Sequence, residues 1–462
     1  MLLNVKLGFP SATGALRGLG VIWLFVVTLL WYRLAAGSLP LIVIAWLFSL
    51  LLVSFLVGDL FLKWALKDSG RFNNLPTKLL SGLLCVNVFL YIACLALPFG
   101  LSVDWVIFLI LVLILWGRAR RFNFASILQT GHASESIFFL AISIAVTVWC
   151  RDLLRPIDVN GGNALIRAWQ DVYFHLCQIA SFASSKGAGT IADVLMADAP
   201  AHPYHMASYI LPAVLVDMTG STVLVAYASL LVPLGILMTG LAAYSLGQLV
   251  FGKWPALAAS LALMLLPDAF QQGFGNPFFG YHWSQQVGPA QGYGVASAAF
   301  VFMLMLEACR TSQYRLVFLS YIFVVITLLY KAQIFVAISF LAFVFPVLFM
   351  SGRVAKYRIP LFVLFTGIYL GVVILSQTSL SVPVMRLDGS SLKAYSELIF
   401  DMQTDGFIKQ IFTSLFFRSG NNGYLKLATF VLMLLVCTFG IFLLLLFLFD
   451  GFSNRVHLRI MN

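Results

Sequence analysis

Long, uninterrupted apolar runs are the feature of this sequence that most restricts its fold. Twelve runs reach or approach the ~20 residues that a helix needs to cross a bilayer. Only helices and closed barrels satisfy every backbone hydrogen bond in lipid, and barrel strands alternate apolar and polar residues. Because these runs are continuous, we predict an all-α, polytopic integral membrane protein with about 12 transmembrane helices. The runs cover 18–36, 39–60, 79–98, 101–117, 135–150, 222–250, 254–268, 292–308, 315–330, 332–350, 359–377 and 424–449.

Composition excludes two other classes. Hydrophobic residues make up 61% of the 462 residues and charged residues 10%, whereas ordinary soluble domains are roughly 45–50% apolar and about 25% charged. A soluble enzyme of this size has too little interior to bury so much apolar surface. Disorder requires the opposite composition, with few apolar residues and many charges.

The net charge of +11 is explained by membrane topology. With the N-terminus in the cytoplasm, the cytoplasmic segments hold 17 of the 28 basic residues and 5 of the 17 acidic ones. The outer segments then hold 11 basic and 12 acidic residues. This asymmetry follows the positive-inside rule, so both termini are predicted to be cytoplasmic and no nucleic-acid partner is expected.

A thirteenth apolar piece, residues 206–218, is too short to span. If it spanned, every later loop would change sides, and the three basic residues within 351–358 would face outward. We therefore predict an interfacial or re-entrant helix on the outer face. The chain is divided into an N-terminal four-helix segment (1–134), a transmembrane core (135–350) with exported loops 151–221 and 268–291, and C-terminal helices (351–462) with exported loop 377–423.

The first exported loop carries the strongest candidate site. Asp171 and His175 are four residues apart, so a helix places them on one face. A carboxylate in such an apolar stretch needs a partner, which His175 can supply. Asp171 is then a candidate general base toward a sugar or lipid hydroxyl. The alternative is an Asp–His pair that only staples the loop.

His202 and His205 follow in the same loop, and His205 is counted with Asp171 and His175 as a candidate catalytic residue. Carboxylate and imidazole ligands suit several divalent metals, but the HxxH spacing is weak, so metal dependence is left open. The alternative is a pair of headgroup anchors. The six cysteines lack metal-ligand spacing, and pairing of Cys150 with Cys177 is also left open.

The candidate substrate-binding residues are aromatic, imidazole or basic. Loop 268–291 interleaves aromatic residues with glutamines and an asparagine, which suits sugar stacking or a membrane-interface belt. Basic residues near membrane ends either bind an anion, such as a lipid-linked phosphate, or snorkel to the interface. The candidates are Arg167, His202, His282, Trp283, Lys331 and Arg418.

Three segments of the sequence resemble those of a known family. The order of an exported loop with an acid, then HPYHMASYILPAVLVDMTG, then LAAYSLGQLVFGKWPALAASLALMLLP resembles the core of the GT-C superfamily of membrane glycosyltransferases. WQDVYFHLCQIASFA resembles a WxDxxxH segment of bacterial membrane proteins of that type. The resemblance covers roughly residues 135–350.

This resemblance implies a function in the cell envelope, such as polysaccharide biosynthesis. It implies a polyprenyl-phosphate-linked sugar donor, a glycan, lipid or protein acceptor, and an inverting transfer with Asp171 as the loop acid. The setting would be the bacterial inner (plasma) membrane, with the active face periplasmic or extracellular.

Two departures keep other functions open. Many of these enzymes carry two adjacent loop acids, whereas Gln170 and Val172 flank Asp171, and no C-terminal periplasmic domain is expected after the last helix. The alternatives are a non-catalytic membrane subunit of a larger complex and a lipid or solute transporter.

Overall fold

A computed structural model describes twelve stretches of the chain. Within them, the secondary structure is helical apart from one short antiparallel ladder, and each of the twelve predicted apolar runs carries a helix. The described residues are 12–66, 72–118, 133–154, 157–159, 163–165, 171–185, 205–265, 285–350, 356–378, 400–401, 405–420 and 422–440.

The first helices are α1 (Ala12–Ala36), α2 (Leu41–Leu66), α3 (Leu75–Ala96), α4 (Leu101–Arg118), α5 (Ala133–Trp149), α6 (Arg151–Leu154), α7 (Asp171–Ser184) and α8 (Ile210–Thr219). Those that follow are α9 (Val223–Phe251), α10 (Lys253–Met264), α11 (Ala290–Thr311), α12 (Tyr314–Tyr330), α13 (Ala332–Phe349), α14 (Arg358–Thr378), α15 (Phe407–Arg418) and α16 (Gly423–Phe439).

The membrane class is supported by the length and hydropathy of these helices. In the described part of the chain, six are long and apolar enough to cross a bilayer, namely α1 from Leu19 onward, α2, α3, α9, α11 and α13. Shorter apolar helices include α4, α5, α12 and parts of α14 and α16. The figure of about 12 spans and the orientation stay predictions.

The ladder is an addition to the predicted all-helical chain. Strand β1 (Ile157–Val159) pairs antiparallel with β2 (Asn163–Leu165), with Asp158 opposite Ala164. It lies in the first predicted exported loop, between α6 and α7.

Helix α3 begins with a dedicated cap. The Asn74 side chain accepts a hydrogen bond from the backbone N–H of Thr77 at 2.9 Å, and Pro76 occupies the first turn, where a missing N–H does no harm. The carboxylate of Glu135 on α5 accepts from the N–H of Leu75 at 3.0 Å. An acid from a neighbouring helix therefore completes the start of α3.

Glycines allow the closest helix crossings. A Cβ added to Gly82 on α3 would lie 1.7 Å from the carbonyl oxygen of Ser54 on α2, and one added to Gly58 would lie 1.8 Å from the carbonyl oxygen of Lys78. Likewise, a Cβ on Gly292 of α11 would lie 2.3 Å from the carbonyl oxygen of Gly235 on α9. Small residues at such crossings are the usual device of membrane helix packing.

The predicted short helix at 206–218 is present as a 3-10 turn, Ala207–Tyr209, followed by α8. It ends at Gly220, whose φ of 68° is left-handed. Its apolar side chains from Ile210 to Leu215 are buried, and it packs against α2, α3, α4 and α7. Protein, rather than lipid headgroups, covers these side chains.

Helix α9 widens near its start. Residues Tyr227–Leu231 form a π-helical segment directly before Pro233. A proline has no N–H to donate to the carbonyl four residues earlier, here Ser229, and its ring crowds that carbonyl. The π segment adds a residue to the turn ahead of this proline, and Tyr227 at its start is buried.

The chain divides into two compact units. The first comprises Met1–Leu265, Gly288–Leu304 and Phe318–Ile338, and the second comprises Leu266–Val287, Met305–Val317 and Ser339–Asn462. In the second unit, Phe412 of α15 packs with Met433 and Cys437 of α16. The division at residues 134 and 350 that the sequence suggested stays a prediction.

Candidate functional site

Helix α7 holds the predicted Asp–His pair. Asp171 is its first residue and is exposed, while His175 lies one turn later and is only 7% exposed. The N-terminus of a helix favours an anion because its peptide dipoles and free N–H groups point there. The pair therefore combines an accessible carboxylate with a buried imidazole.

Two tyrosines enclose the ring of His175. The Nδ1 atom of His175 and the hydroxyl oxygen of Tyr209 are 2.7 Å apart. The Tyr227 ring lies nearly parallel to the imidazole, with an interplanar angle of 13° and centroids 6.1 Å apart. Tyr209 comes from the 3-10 turn before α8 and Tyr227 from the π segment of α9, so three elements fix this one imidazole.

His205 adopts a backbone conformation that side chains other than glycine seldom take. Its φ is 70°, and its N–H donates to the carbonyl oxygen of Leu328 at 3.2 Å. Burial, then the positive charge of Lys331, lower the pKa of His205 from 6.5 to about 4. His205 is therefore neutral at neutral pH, and left-handed backbone of this kind is concentrated at functional sites.

Lys331 occupies the one-residue break between α12 and α13. Its N–H donates to the carbonyl oxygen of Thr327 at 2.8 Å, and its carbonyl accepts from the N–H of Phe335 at 3.0 Å. Burial lowers the pKa of its ammonium group, and the nearby carboxylate of Asp171 acts in the opposite direction. Lys331 is thus a half-buried ammonium group on which the carboxylate of Asp171 acts electrostatically.

These residues form one electrostatic cluster within the first unit. Asp171 and His175 come from α7, His205 from two residues before the 3-10 turn, and Lys331 from the α12–α13 break. The positive charge of Lys331 lowers the pKa of His205, and the carboxylate of Asp171 acts to raise the pKa of Lys331. The sequence predicted all four as site residues. It did not predict Tyr209 and Tyr227, which contact the ring of His175. A tyrosine in an apolar helix whose hydroxyl requires a partner is the signal that points to them.

Of the other predicted site residues, the structure describes one. Arg418 ends α15 in the second unit and is exposed. Arg167, His202, His282 and Trp283 lie outside the described residues.

Neither metal binding nor a disulfide is seen in the part of the chain that the structure describes. No group of three or more His, Cys, Asp or Glu side chains there is arranged to hold a metal ion. The thiols of Cys150 and Cys177 are both free, the first buried and the second exposed.

Comparisons with protein-family models, with curated proteins and with solved structures find no match to this chain. The fold and the cluster define the class of protein. It is a helical protein with several candidate membrane spans and with a site that combines an acid, histidines and a lysine at or near the ends of helices.

Proposed function

We propose that this chain is an inverting membrane glycosyltransferase of the GT-C type. It would transfer a sugar from a polyprenyl-phosphate donor to a glycan, lipid or protein acceptor on the outer face of a bacterial inner membrane. The observation that carries the proposal is an exposed carboxylate, Asp171, at the first residue of α7, one turn before the buried His175. The charge of Asp171 also acts to raise the pKa of the half-buried Lys331. A carboxylate and an ammonium group suit a reaction that removes a proton from one group and places negative charge on another.

Asp171 is the candidate base. Its exposed position at the N-terminus of α7 leaves it accessible to an acceptor hydroxyl. In the proposed step, the carboxylate takes the hydroxyl proton while the acceptor oxygen bonds to the anomeric carbon. The bond between that carbon and the phosphate oxygen breaks, and its electron pair leaves with the lipid phosphate.

Lys331 and His205 are the candidate partners of the leaving phosphate. A half-buried ammonium stabilises developing negative charge more strongly than an exposed one because less water screens it. His205 is uncharged before the donor binds, and the negative phosphate would favour its protonated form. The cluster is therefore suited to bind an anionic ligand next to one catalytic carboxylate, that of Asp171.

The test is sugar transfer in reconstituted vesicles. Purified protein, a polyprenyl-phosphate hexose with radiolabelled sugar and acceptor membranes are combined for wild type, Asp171→Asn and Asp152→Asn. Asp152 is an exposed carboxylate of α6 in the same outer segment. We expect Asp171→Asn to lose at least ~100-fold in rate, as removal of a general base does, and Asp152→Asn to retain activity. Full transfer by Asp171→Asn would sink the assignment.

A non-catalytic subunit is the alternative that this experiment also addresses. On that alternative, Asp171→Asn folds, co-purifies with its membrane partners and supports their activity at the wild-type level.

A transporter is the second candidate function, and one observation favours it. Asp104, on α4, is buried, and neither of its carboxylate oxygens has a hydrogen-bond partner among the residues that the structure describes. Buried ionisable residues in membrane helices often mark ion or proton pathways. Uptake of a labelled sugar or lipid into proteoliposomes, driven by an ion gradient and abolished by Asp104→Asn, would favour transport over sugar transfer.

A further inference from the structure

The hydroxyl of Tyr209 forms a hydrogen bond with the imidazole ring of His175. Tyr209 is buried, and its hydroxyl oxygen lies 2.7 Å from Nδ1 of His175. Within the described residues, Nδ1 of His175 is the hydrogen-bond partner of that hydroxyl. A buried O–H that donates to nothing is destabilising, so the hydroxyl donates and Nδ1 accepts.

An accepting Nδ1 fixes the tautomer. A neutral imidazole carries its single proton on one nitrogen and accepts at the other, so the proton of His175 lies on Nε2. A charged imidazolium would carry a proton on Nδ1 as well, so the hydroxyl oxygen would have to accept that N–H across the 2.7 Å contact and turn its own proton away. The buried O–H of Tyr209 would lose its acceptor. The contact therefore opposes protonation of His175.

The stacking of the rings supports the same arrangement. The Tyr227 ring lies nearly parallel to the imidazole, and the Tyr209 ring lies 5.8 Å from it between centroids. The imidazole plane is thus held from both its edge and its face. The protonatable or charged groups around it are Asp171 one turn earlier on α7, Tyr209, Tyr227 and His205, and Lys331 acts on His205.

We propose that Tyr209 is a positioning residue that holds His175 as the neutral Nε2–H tautomer, so that His175 acts as a hydrogen-bond donor rather than as a proton acceptor. The assignment of the tautomer stands on geometry alone. Its role in sugar transfer rests on the proposed function, in which Asp171 is the base and His175 supports it.

The experiment observes the histidine nitrogens directly. Protein labelled with ¹⁵N at the histidine rings is placed in lipid nanodiscs, and the signals of His175 among the six histidines are assigned with His175→Gln. Spectra at several pH values are compared for wild type, Tyr209→Phe and Tyr244→Phe. Tyr244 is a buried tyrosine whose hydroxyl lies 3.3 Å from Ser134, so it serves as the matched control.

In wild type and Tyr244→Phe, we expect His175 to show an unprotonated Nδ1 and a protonated Nε2 at pH 7. In Tyr209→Phe, we expect a mixture of tautomers and protonation at higher pH, since the O–H that favoured the neutral form is gone. A protonated Nδ1 in folded wild type, or an unchanged His175 spectrum in Tyr209→Phe, overturns the proposal. If Tyr209→Phe fails to fold, the wild-type spectrum still decides the tautomer.

A second readout separates this proposal from the proposed function. If the chain transfers sugar, the acid limb of the pH profile should move to higher pH in Tyr209→Phe and stay in place in Tyr244→Phe. An unmoved acid limb would show that the tautomer does not serve catalysis. If no variant transfers sugar, the proposed function fails, while the nitrogen spectra still test the role of Tyr209.

Discussion

Lys78 and Asp59 form an ion pair in the interior of the helix bundle. The Nζ atom of Lys78 on α3 lies 3.0 Å from Oδ1 of Asp59 on α2, and the two side chains are 3% and 2% exposed. Lys63, one turn along α2, lies 2.8 Å from the other oxygen of Asp59 but is half exposed. Asp59 directly follows Gly58, at which an added Cβ would lie 1.8 Å from the carbonyl oxygen of Lys78, so the ion pair lies at a close approach of α2 and α3.

Removing the carboxylate should therefore be strongly destabilising. Asp59→Asn leaves the ammonium of Lys78 buried without an anion, and breaking a buried pair in this way costs about 3–5 kcal/mol. Denaturant unfolding in nanodiscs, compared with wild type, measures the loss. The control is Asp405→Asn, since Asp405 is 97% exposed although it lies 2.9 Å from Lys409; we expect little change there. Similar stability of the two variants would contradict the structural importance of the buried pair.

The closest glycine crossing gives a second stability prediction. Gly82→Ala places a Cβ within 1.7 Å of the carbonyl oxygen of Ser54, which is backbone and cannot move alone. The helices must separate, and overpacking of this kind typically costs about 1–3 kcal/mol or more. Gly367→Ala on α14 is the matched control because nothing lies within 4 Å of its new Cβ. There, alanine should be neutral or stabilising, by up to about 1 kcal/mol, from its better helix propensity.

Thermal unfolding of both glycine variants measures the difference. A Gly82→Ala protein as stable as Gly367→Ala would show that α2 and α3 do not cross this closely.

Hydropathy predicted where the helices lie in the sequence, but not whether lipid or protein surrounds their apolar side chains. Each apolar run carries a helix because continuous apolar sequence in lipid has little alternative. The sequence predicts an interfacial or re-entrant helix at 206–218, and in the structure Ile210 to Leu215 are buried against other helices. Lipid and protein interiors are similarly apolar, so sequence alone does not distinguish them.

Sequence reasoning proposed four residues of the cluster around His175 but neither of its two tyrosines. Asp171 and His175 were found because their spacing reports one helix face, and His205 and Lys331 because charged or imidazole groups are rare in this sequence. Tyr209 and Tyr227 were missed because their contacts to His175 are tertiary. Tyr209 lies in the 3-10 turn and Tyr227 in the π segment before Pro233. The sequence pattern did not predict either of these two local conformations.

Protonation of His205 should make stability depend on pH. Burial, then the charge of Lys331, lower its pKa to about 4 in the folded protein, below the value of 6.5 for an unperturbed histidine. As pH falls below about 6.5, the unfolded chain takes up this proton before the folded protein does. The stabilisation is therefore fully present above pH 6.5 and is lost progressively toward pH 4.

The matched variant is His205→Asn, since asparagine does not titrate and tolerates a left-handed backbone. Melting temperatures are measured between pH 4.5 and 7.5 in nanodiscs. We expect wild type to lose more stability than His205→Asn on acidification. Parallel pH profiles for the two proteins would show that His205 does not titrate in this environment.

The exposed thiol of Cys177 allows the predicted orientation to be tested beside the site itself. Cys177 lies two residues after His175 on α7 and is exposed, whereas Cys94, Cys150 and Cys437 are buried. If the first long loop is on the outer side, as the distribution of Lys and Arg predicts, a membrane-impermeant maleimide should label Cys177 in intact spheroplasts. Cys177→Ser should remove most of that labelling and leave the melting temperature nearly unchanged, because an exposed side chain makes few packing contacts. Labelling of Cys177 only in inverted vesicles would reverse the orientation and move the cluster of Asp171 and Lys331 to the cytoplasmic side, where a polyprenyl-phosphate donor on the outer face could not reach it.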